Sequence, residues 1–199
     1  MQYDLTRLGL RVPYASISES ERILLESKLT VSPIKSDYEY TETTYKVFTS
    51  SKNNMYVPRF FFGPLKSNTI RGGKEIFVEF NGELKSATEQ PQAANAILQR
   101  LADANGCILS LPTGFGKTTV ALYVLAKMHV KTLIIVHKEF LMQQWIEKIN
   151  QFLPGAKIGR IQGSVHDVEG KDVVVGMLQS LSMKTYDRSV FDEFGFTII

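Results

Sequence analysis

The segment at residues 110–119 constrains the fold more strongly than any other part of this sequence. It reads Ser-Leu-Pro-Thr-Gly-Phe-Gly-Lys-Thr-Thr, after an apolar run at residues 107–111 and before a helical pattern at residues 118–128. A strand, a glycine-bearing loop, a Lys-Thr pair and a helix in this order are typical of a phosphate-binding P-loop. The segment therefore predicts an α/β protein with an anion site at the start of a helix.

The residue types of the loop suit a bound nucleotide. Its backbone N–H groups, together with the positive end of the following helix, form a nest for phosphate oxygens. Lys117 is expected to reach the β- and γ-phosphates of ATP, and the Thr118 hydroxyl is expected to ligate Mg²⁺. Gly114 and Gly116 permit backbone dihedrals and a close approach that a Cβ would obstruct.

One position departs from the general P-loop pattern G-x-x-x-x-G-K-[ST]. The first glycine of that pattern falls at Leu111. A surface turn with an exposed lysine is the alternative interpretation of the remaining Gly-x-Gly-Lys-Thr. The flanking strand and helix patterns favour the P-loop, because they place the loop where its mechanism needs it.

Composition excludes several classes of protein. The chain has 199 residues, enough for one ordinary domain and a smaller one, and its net charge of +3 neither demands nor excludes nucleic acid. Cys107 is the only cysteine, so a disulfide framework is excluded and an intracellular setting is favoured. The sequence shows no secretory leader after Met1, no apolar run near the roughly 20 residues of a membrane span, and no metal-ligand spacing among its histidines.

The pattern of apolar residues predicts two domains with a boundary at about residue 86. Residues 1–86 are predicted to form a small α+β accessory domain. Its helix begins at the capping box Ser18-x-x-Glu21, and strands are predicted at residues 44–49 and 75–80. Residues 87–199 alternate strands with helices, which predicts a mostly parallel sheet with helices on both faces and the P-loop at its carboxyl edge.

Aromatic and basic residues in the first domain admit two interpretations. Arg59 and the phenylalanines at residues 60–62 either contact nucleic acid or form part of a small β core. We favour the core for the phenylalanines. Lys66, Arg71 and Lys74 form a second, weaker candidate patch for nucleic acid.

Several segments together resemble superfamily 2 helicases of the DExH type. Residues 111–118 resemble motif I, in which an apolar or small residue commonly replaces the first glycine. Residues 133–145 resemble motif Ia, with His137-Lys138 where Pro-Thr or Pro-Ser is commoner. Residues 173–181 resemble motif Ic, with Met177 in place of the usual polar residue. Within that superfamily, the chain resembles the XPB-like helicases and the motor subunits of type III restriction enzymes, including the helicases of large DNA viruses.

The resemblance implies two sets of site residues. Gln90 corresponds to an adenine-reading glutamine, with Gln92 as its competitor, and Lys117 and Thr118 are the catalytic residues. The expected ATP site comprises Gln90, Thr113, Gly114, Phe115, Gly116, Lys117, Thr118 and Thr119, with Thr118 as the metal ligand. The expected nucleic-acid contacts are His137, Lys138, Gly163, Gln179 and Ser180. An ordinary solvated lysine remains the alternative for Lys138, and a helix N-terminal cap remains the alternative for Gln179 and Ser180.

The function implied by the resemblance is an ATP-dependent DNA helicase with a RecA-like P-loop domain. ATP and Mg²⁺ are the implied cofactors, DNA is the favoured strand with RNA as an alternative, and a monomer is favoured. Residues 196–199 correspond to the strand before an Asp-Glu-x-His segment that the sequence does not contain, so the chain alone is expected to hydrolyse ATP negligibly. Two other classes stay open, a translocase without unwinding and a nucleic-acid or protein docking fragment. The compartment, whether cytoplasm, nucleus, viral factory or virion, is also open.

Overall fold

A computed structural model describes residues 2–6, 8–32, 44–63 and 72–199, without the side chain of Arg188. The chain divides into two units, Met1–Leu65 and Lys66–Ile199. Lys66 and Arg71, which belong to the weaker candidate patch, lie outside the described residues.

The first unit combines short antiparallel strands with one helix. The elements are β1 (Asp4–Thr6), β2 (Gly9–Pro13), α1 (Glu19–Lys28), β3 (Thr30–Val31), β4 (Tyr45–Lys46), β5 (Thr49–Ser50) and β6 (Asn54–Val57). One sheet has the strand order β1-β2-β6-β5, and a second sheet consists of β3 and β4. The strand predicted at residues 44–49 is therefore divided between β4 and β5. The α+β character of this unit agrees with the prediction.

The amino end of α1 is fixed by the predicted capping box. The Ser18 hydroxyl accepts a hydrogen bond from the Glu21 amide, and the Glu21 carboxylate accepts one from the Ser18 amide over 2.8 Å. The backbone hydrogen bond from Ser18 holds the pKa of Glu21 below its ordinary value. Leu25 of α1 then packs in a core with residues of β2 and β6, and Phe61 and Phe62 pack against that core. The interpretation of the phenylalanines as core residues is therefore confirmed for Phe61 and Phe62, but it is wrong for Phe60, which is 45% exposed.

The second unit is built on a five-stranded sheet. The elements of this unit are α2 (Gln90–Ala104), α3 (Lys117–Met128), β7 (Thr132–Val136), α4 (Glu139–Phe152), β8 (Ile158–Gln162), β9 (Val165–Asp167), β10 (Val173–Met177), α5 (Leu178–Met183) and β11 (Phe196–Ile198). The strand order is β11-β7-β10-β8-β9, and every neighbouring pair is parallel except β8 with β9. Strand β9, the antiparallel strand of this sheet, was not predicted from the sequence.

Helical segments cover both faces of this sheet. Side chains alternate in direction along a strand, so Ile134 and Val136 of β7 point to one face and Leu133 points to the other. The first face packs against α3 and α4, including the buried Leu122 and Met142. The second face packs against residues that include Leu181 of α5. The predicted architecture, a mostly parallel sheet with helices on both faces, is confirmed.

Two predicted strands are absent from the described residues. Residues 75–80 make only an isolated bridge, between Glu75 and Val130, and residues 107–111 pair with no strand. A strand needs a neighbour along its whole length to satisfy its backbone N–H and C=O groups. Residues 75–80 have such a neighbour only near Glu75, and residues 107–111 have none among the described residues. The apolar alternation at residues 75–80 instead serves packing, because Ile76 and Val78 are buried whereas Phe77 is 84% exposed.

The position of residues 75–80 also affects the domain boundary. Ile76 and Val78 belong to the core that contains α3, α4 and β7, and the Ile76 amide donates to the His129 carbonyl over 3.0 Å. These residues therefore belong to the second unit. The division between the units accordingly falls after Leu65, earlier than the predicted boundary at residue 86.

Candidate nucleotide and nucleic-acid sites

The glycine-bearing loop leads directly into α3. Gly114 and Gly116 have φ angles of +81° and +93°, which side chains other than glycine rarely adopt. Gly116 is the N-cap residue of α3, and no side chain from the described residues caps that helix. The backbone N–H groups of the first turn of α3 therefore keep the hydrogen-bonding capacity that a helix start leaves unused.

Lys117 folds its ammonium group over the loop. Its Nζ donates hydrogen bonds to the carbonyl oxygens of Leu111 and Pro112, each over 3.0 Å. Both partners are neutral carbonyl oxygens, so neither of them neutralises the ammonium charge beside the start of α3. Thr118 and Thr119 follow in the same helical turn, and both are half-buried.

Gln90 braces the loop from the amino end of α2. Its Nε2 donates to the carbonyl oxygen of Phe115 over 2.6 Å, and its Oε1 accepts from the Lys85 amide over 2.8 Å. The Gln90 side chain is buried, with 4% exposure. It therefore acts as a positioning residue for the loop, whereas its adenine contact stays a prediction. Gln92 on the same helix is exposed.

The five residues predicted to contact nucleic acid come together where three neighbouring parallel strands end. His137 and Lys138 follow β7, Gln179 and Ser180 lie just after β10, and Gly163 follows β8. The order β7-β10-β8 places these strand ends side by side. We call this group of residues, His137, Lys138, Gly163, Gln179 and Ser180, the strand-end surface.

Hydrogen bonds link the strand-end surface across the strands. Gln179 Nε2 donates to the carbonyl oxygen of His137 over 2.9 Å, and the Gly163 amide donates to the Ser180 hydroxyl over 2.9 Å. No side chain among the described residues caps α5, so Gln179 and Ser180 bond to neighbouring strand ends instead of capping that helix. The alternative role of these two residues as an N-terminal cap is wrong.

The sequence analysis missed three side chains beside this surface. The Lys184 ammonium donates to the Gly163 carbonyl, and the Tyr186 hydroxyl donates to the Ser180 carbonyl over 3.0 Å. Gln162 donates to the Glu139 carboxylate over 3.1 Å. In the sequence Lys184 is one lysine after a short helix, and no local signal distinguishes it from a solvated lysine.

The four described ranges hold no group of three or more His, Cys, Asp or Glu residues that is able to bind a metal ion. They also hold no helix that is both long enough and apolar enough to cross a membrane.

Comparison with known proteins links the second unit to one family. The model of the family described as "Type III restriction enzyme, res subunit" matches residues 83–199. A "putative ATP-dependent RNA helicase" of Acanthamoeba polyphaga mimivirus is 29% identical over 205 residues, covering 98% of this chain and 39% of that protein. A "putative helicase" of Invertebrate iridescent virus 3 is 31% identical over 125 residues, covering 60% of this chain and 37% of its own length.

A third relative comes from African swine fever virus. It is named a "putative ATP-dependent RNA helicase" and is 30% identical over 96 residues, covering 46% of this chain and 18% of its own length. The chain thus spans well under half the length of each of these three relatives. These comparisons confirm the resemblance to superfamily 2 helicases of large DNA viruses and the RecA-like P-loop fold of the second unit.

Proposed function

Because this chain belongs to the family of the type III restriction enzyme res subunit, within the superfamily 2 helicases, we propose that it binds ATP and nucleic acid as part of an ATP-driven helicase. The observation that carries the proposal is the position of Lys117. Its charged ammonium group rests on two neutral carbonyls at the uncapped start of α3. The activity of the whole protein is part of this proposal, since the chain spans 39% of its mimivirus relative.

The residues of the loop fit the phosphates of a nucleotide. The first-turn N–H groups of α3 supply donors, and a Cβ built at Gly114 meets nothing within 4 Å, so the loop is open on that side. A phosphate oxygen is a stronger partner for Lys117 than a neutral carbonyl, because the attraction between opposite charges adds to the hydrogen bond. Phosphate binding is therefore expected to draw the Lys117 ammonium away from Leu111 and Pro112.

The other predicted ATP-site residues take supporting roles in the proposal. The shape of the loop depends on Thr113, Phe115 and Thr119. Gln90 holds Phe115 in place through its hydrogen bond to the Phe115 carbonyl. Thr118, at the second position of α3, is the residue proposed to hold Mg²⁺. When bound, Mg²⁺ would neutralise charge on the β- and γ-phosphates.

The strand-end surface is the proposed binding site for the nucleic-acid strand. Lys138 is exposed and forms no ion pair with any residue that the structure describes, so its charge is available to a phosphate. Its ammonium lies 5.9 Å from the centre of the Phe140 ring. Gly163, Gln179 and Ser180 offer backbone and side-chain polar groups beside it. Contacts of this kind recognise phosphates and sugars rather than base edges, so binding is expected to depend on salt and little on sequence.

The nature of the strand is a separate part of the proposal. We propose DNA, which the resemblance to XPB-like and restriction-type motors favours. The relatives from mimivirus and African swine fever virus are instead named as RNA helicases. Competition between DNA and RNA oligonucleotides of the same sequence for the chain tests this point. Preferential displacement by RNA would contradict DNA as the strand.

A titration with fluorescently labelled ATP tests the nucleotide site. Lys117→Ala is expected to weaken binding at least about tenfold, because one charge-assisted contact contributes about 1.5–3 kcal/mol. Lys127→Ala, in the last turn of the same helix, is the matched control and is expected to bind as tightly as the unaltered chain. If Lys117→Ala binds labelled ATP as tightly as the unaltered chain does, the proposed nucleotide site is wrong.

Strand separation by the whole protein tests the finer assignment. A helicase displaces a labelled strand from a partial duplex in the presence of ATP. A translocase without unwinding instead hydrolyses ATP in a strand-dependent manner and leaves the duplex intact. The second result would replace the helicase proposal with the translocase alternative.

A further inference from the structure

We propose that Lys184 is a phosphate-contacting residue of the strand-end surface, an assignment that rests on the proposed function and extends it. Lys184 directly follows α5 and has an extended backbone, with φ −112° and ψ 150°. Its side chain is exposed, and its ammonium donates to the carbonyl of Gly163. It thus lies against a residue already placed on that surface.

Two anchors fix the position of Lys184. On one side, the Ser180 hydroxyl accepts a hydrogen bond from the Gly163 amide over 2.9 Å, which ties α5 to the end of β8. On the other side, the Tyr186 hydroxyl bonds to the Ser180 carbonyl, and the Tyr186 ring stacks on His166 of β9 with 5.3 Å between the ring centres. The backbone at Lys184 therefore lies between two anchored residues, so little backbone entropy remains to be lost when its ammonium binds a phosphate.

The charge of Lys184 is available to an anion. Among the described residues its ammonium forms no ion pair, and its partner is a neutral carbonyl. Lys171 differs, because its ammonium pairs with Asp167 over 3.1 Å. The acidic residue nearest to Lys184 in sequence, Asp187, instead accepts hydrogen bonds from the amide and hydroxyl of Ser189 over 2.9 and 2.8 Å.

One other carboxylate lies at this end of the sheet. Glu139 follows Lys138 and accepts a hydrogen bond from Gln162. Among the described residues, neither Lys138 nor Lys184 forms an ion pair with Glu139 or Asp187. Lys138 lies after β7, and Lys184 lies beside the end of β8. Because β10 lies between those two strands, the two lysines flank Gln179 and Ser180. This arrangement fits successive phosphates of one nucleic-acid strand that crosses the ends of β7, β10 and β8, with a lysine near each end of the crossing.

Salt-dependent binding of the full chain to a fluorescein-labelled dT20 oligonucleotide tests the assignment. Each phosphate contact with a single strand makes the slope of log K against log salt more negative by about 0.7. Lys184→Ala is therefore expected to make this slope about 0.7 less steep and to weaken binding roughly fivefold at 0.1 M salt. Lys184→Arg retains the charge and is expected to bind as the unaltered chain does.

Two further variants separate a phosphate contact from a structural role. Lys184→Gln retains a donor for the Gly163 carbonyl but has no charge, and it is expected to lose as much affinity and slope as Lys184→Ala. Lys157→Ala removes the same charge at the other end of β8, just before Ile158, and is expected to change neither quantity.

The outcomes distinguish the two proposals. If Lys184→Gln binds with unaltered affinity and slope, the lysine only braces the turn and the assignment is overturned. If Lys184→Ala has no effect while Lys138→Ala weakens binding, the assignment fails and the proposed strand-end surface stands. If the unaltered chain shows no salt-sensitive binding at all, the proposed nucleic-acid function and this assignment fall together.

Discussion

The side-chain amide of Gln90 donates a hydrogen bond to the backbone carbonyl of Phe115, with 2.6 Å between nitrogen and oxygen. The two residues are 25 positions apart, and the bond joins the first residue of α2 to the loop before α3. The other end of the same amide accepts from Lys85. The conformation of the P-loop is thus fixed partly by a residue outside its own motif.

We predict that Gln90→Ala destabilises the fold by about 1–3 kcal/mol, because the Phe115 carbonyl and the Lys85 amide lose a buried partner. The same variant is expected to weaken ATP binding, since the loop is no longer braced. Urea unfolding and a labelled-ATP titration measure the two effects. Gln92→Ala, at an exposed position of the same helix, is the control. A stability loss in Gln92→Ala equal to that in Gln90→Ala would contradict the bracing role.

A pair of glycine substitutions separates backbone strain from steric clash. An alanine Cβ at Gly116 would lie 2.5 Å from Gln90 Nε2, whereas a Cβ at Gly114 meets nothing within 4 Å. Both positions have positive φ, so each substitution is expected to cost about 1–2 kcal/mol of strain. Gly116→Ala should cost more in unfolding free energy and in ATP affinity, because it also displaces Gln90. Equal effects at the two positions would show that Gln90 moves away at no cost.

A buried lysine gives the second unit a defined response to acid. Lys131 is 0% exposed, and its ammonium lies 2.6 Å from a Glu193 carboxylate oxygen and 2.8 Å from the Val168 carbonyl oxygen. The hydrogen bond from Lys131 is the main cause that holds the pKa of Glu193 below its ordinary value. The carboxylate form is therefore favoured in the folded state, and the pair adds stability at neutral pH.

The sign of the pH effect follows from the lowered pKa. The stabilisation is complete above the ordinary glutamate pKa of about 4.3 and is lost as the pH falls through the lower pKa of the folded state. Glu193→Gln is expected to cost about 1–3 kcal/mol at pH 7, less than for a fully buried pair because 44% of the Glu193 side chain is exposed. Urea unfolding curves from pH 7 to pH 3 measure the difference in unfolding free energy between the unaltered chain and Glu193→Gln, and this difference is expected to shrink as the pH falls. A difference that stays constant over this pH range would contradict the proposed role of the Glu193 carboxylate.

Ser180→Ala tests whether the strand-end surface is held together by its hydrogen bonds. The substitution leaves the Gly163 amide without the hydroxyl partner that lies 2.9 Å away. Hydrogen exchange at the Gly163 amide is expected to accelerate, and oligonucleotide binding is expected to weaken by a few-fold, since one modest hydrogen bond is lost. The Ser182 hydroxyl donates to the Gln179 carbonyl on the same helix, and Ser182→Ala is therefore the control. Unchanged exchange at Gly163 in Ser180→Ala would contradict this role.

Short-range patterns in the sequence predicted much of the secondary structure. The capping box fixed the start of α1, because both of its hydrogen bonds join residues three positions apart. The helical pattern that follows the two glycines and the Lys-Thr pair predicted α3. Each of these features depends on neighbours in the chain, so local composition is sufficient to specify it.

The sequence determined that this protein has a P-loop at the start of a helix and a mostly parallel sheet, because both follow from local periodicity and turn residues. Only the tertiary structure decided that residues 75–80 and 107–111 lack strand partners, that Gln90 braces Phe115, and that Lys184 reaches Gly163. The physical reason is that each depends on contacts between residues far apart in the chain. Whether an apolar run becomes a strand depends on a neighbour to pair with, and whether a polar side chain is free or bonded depends on which distant groups the fold brings to it.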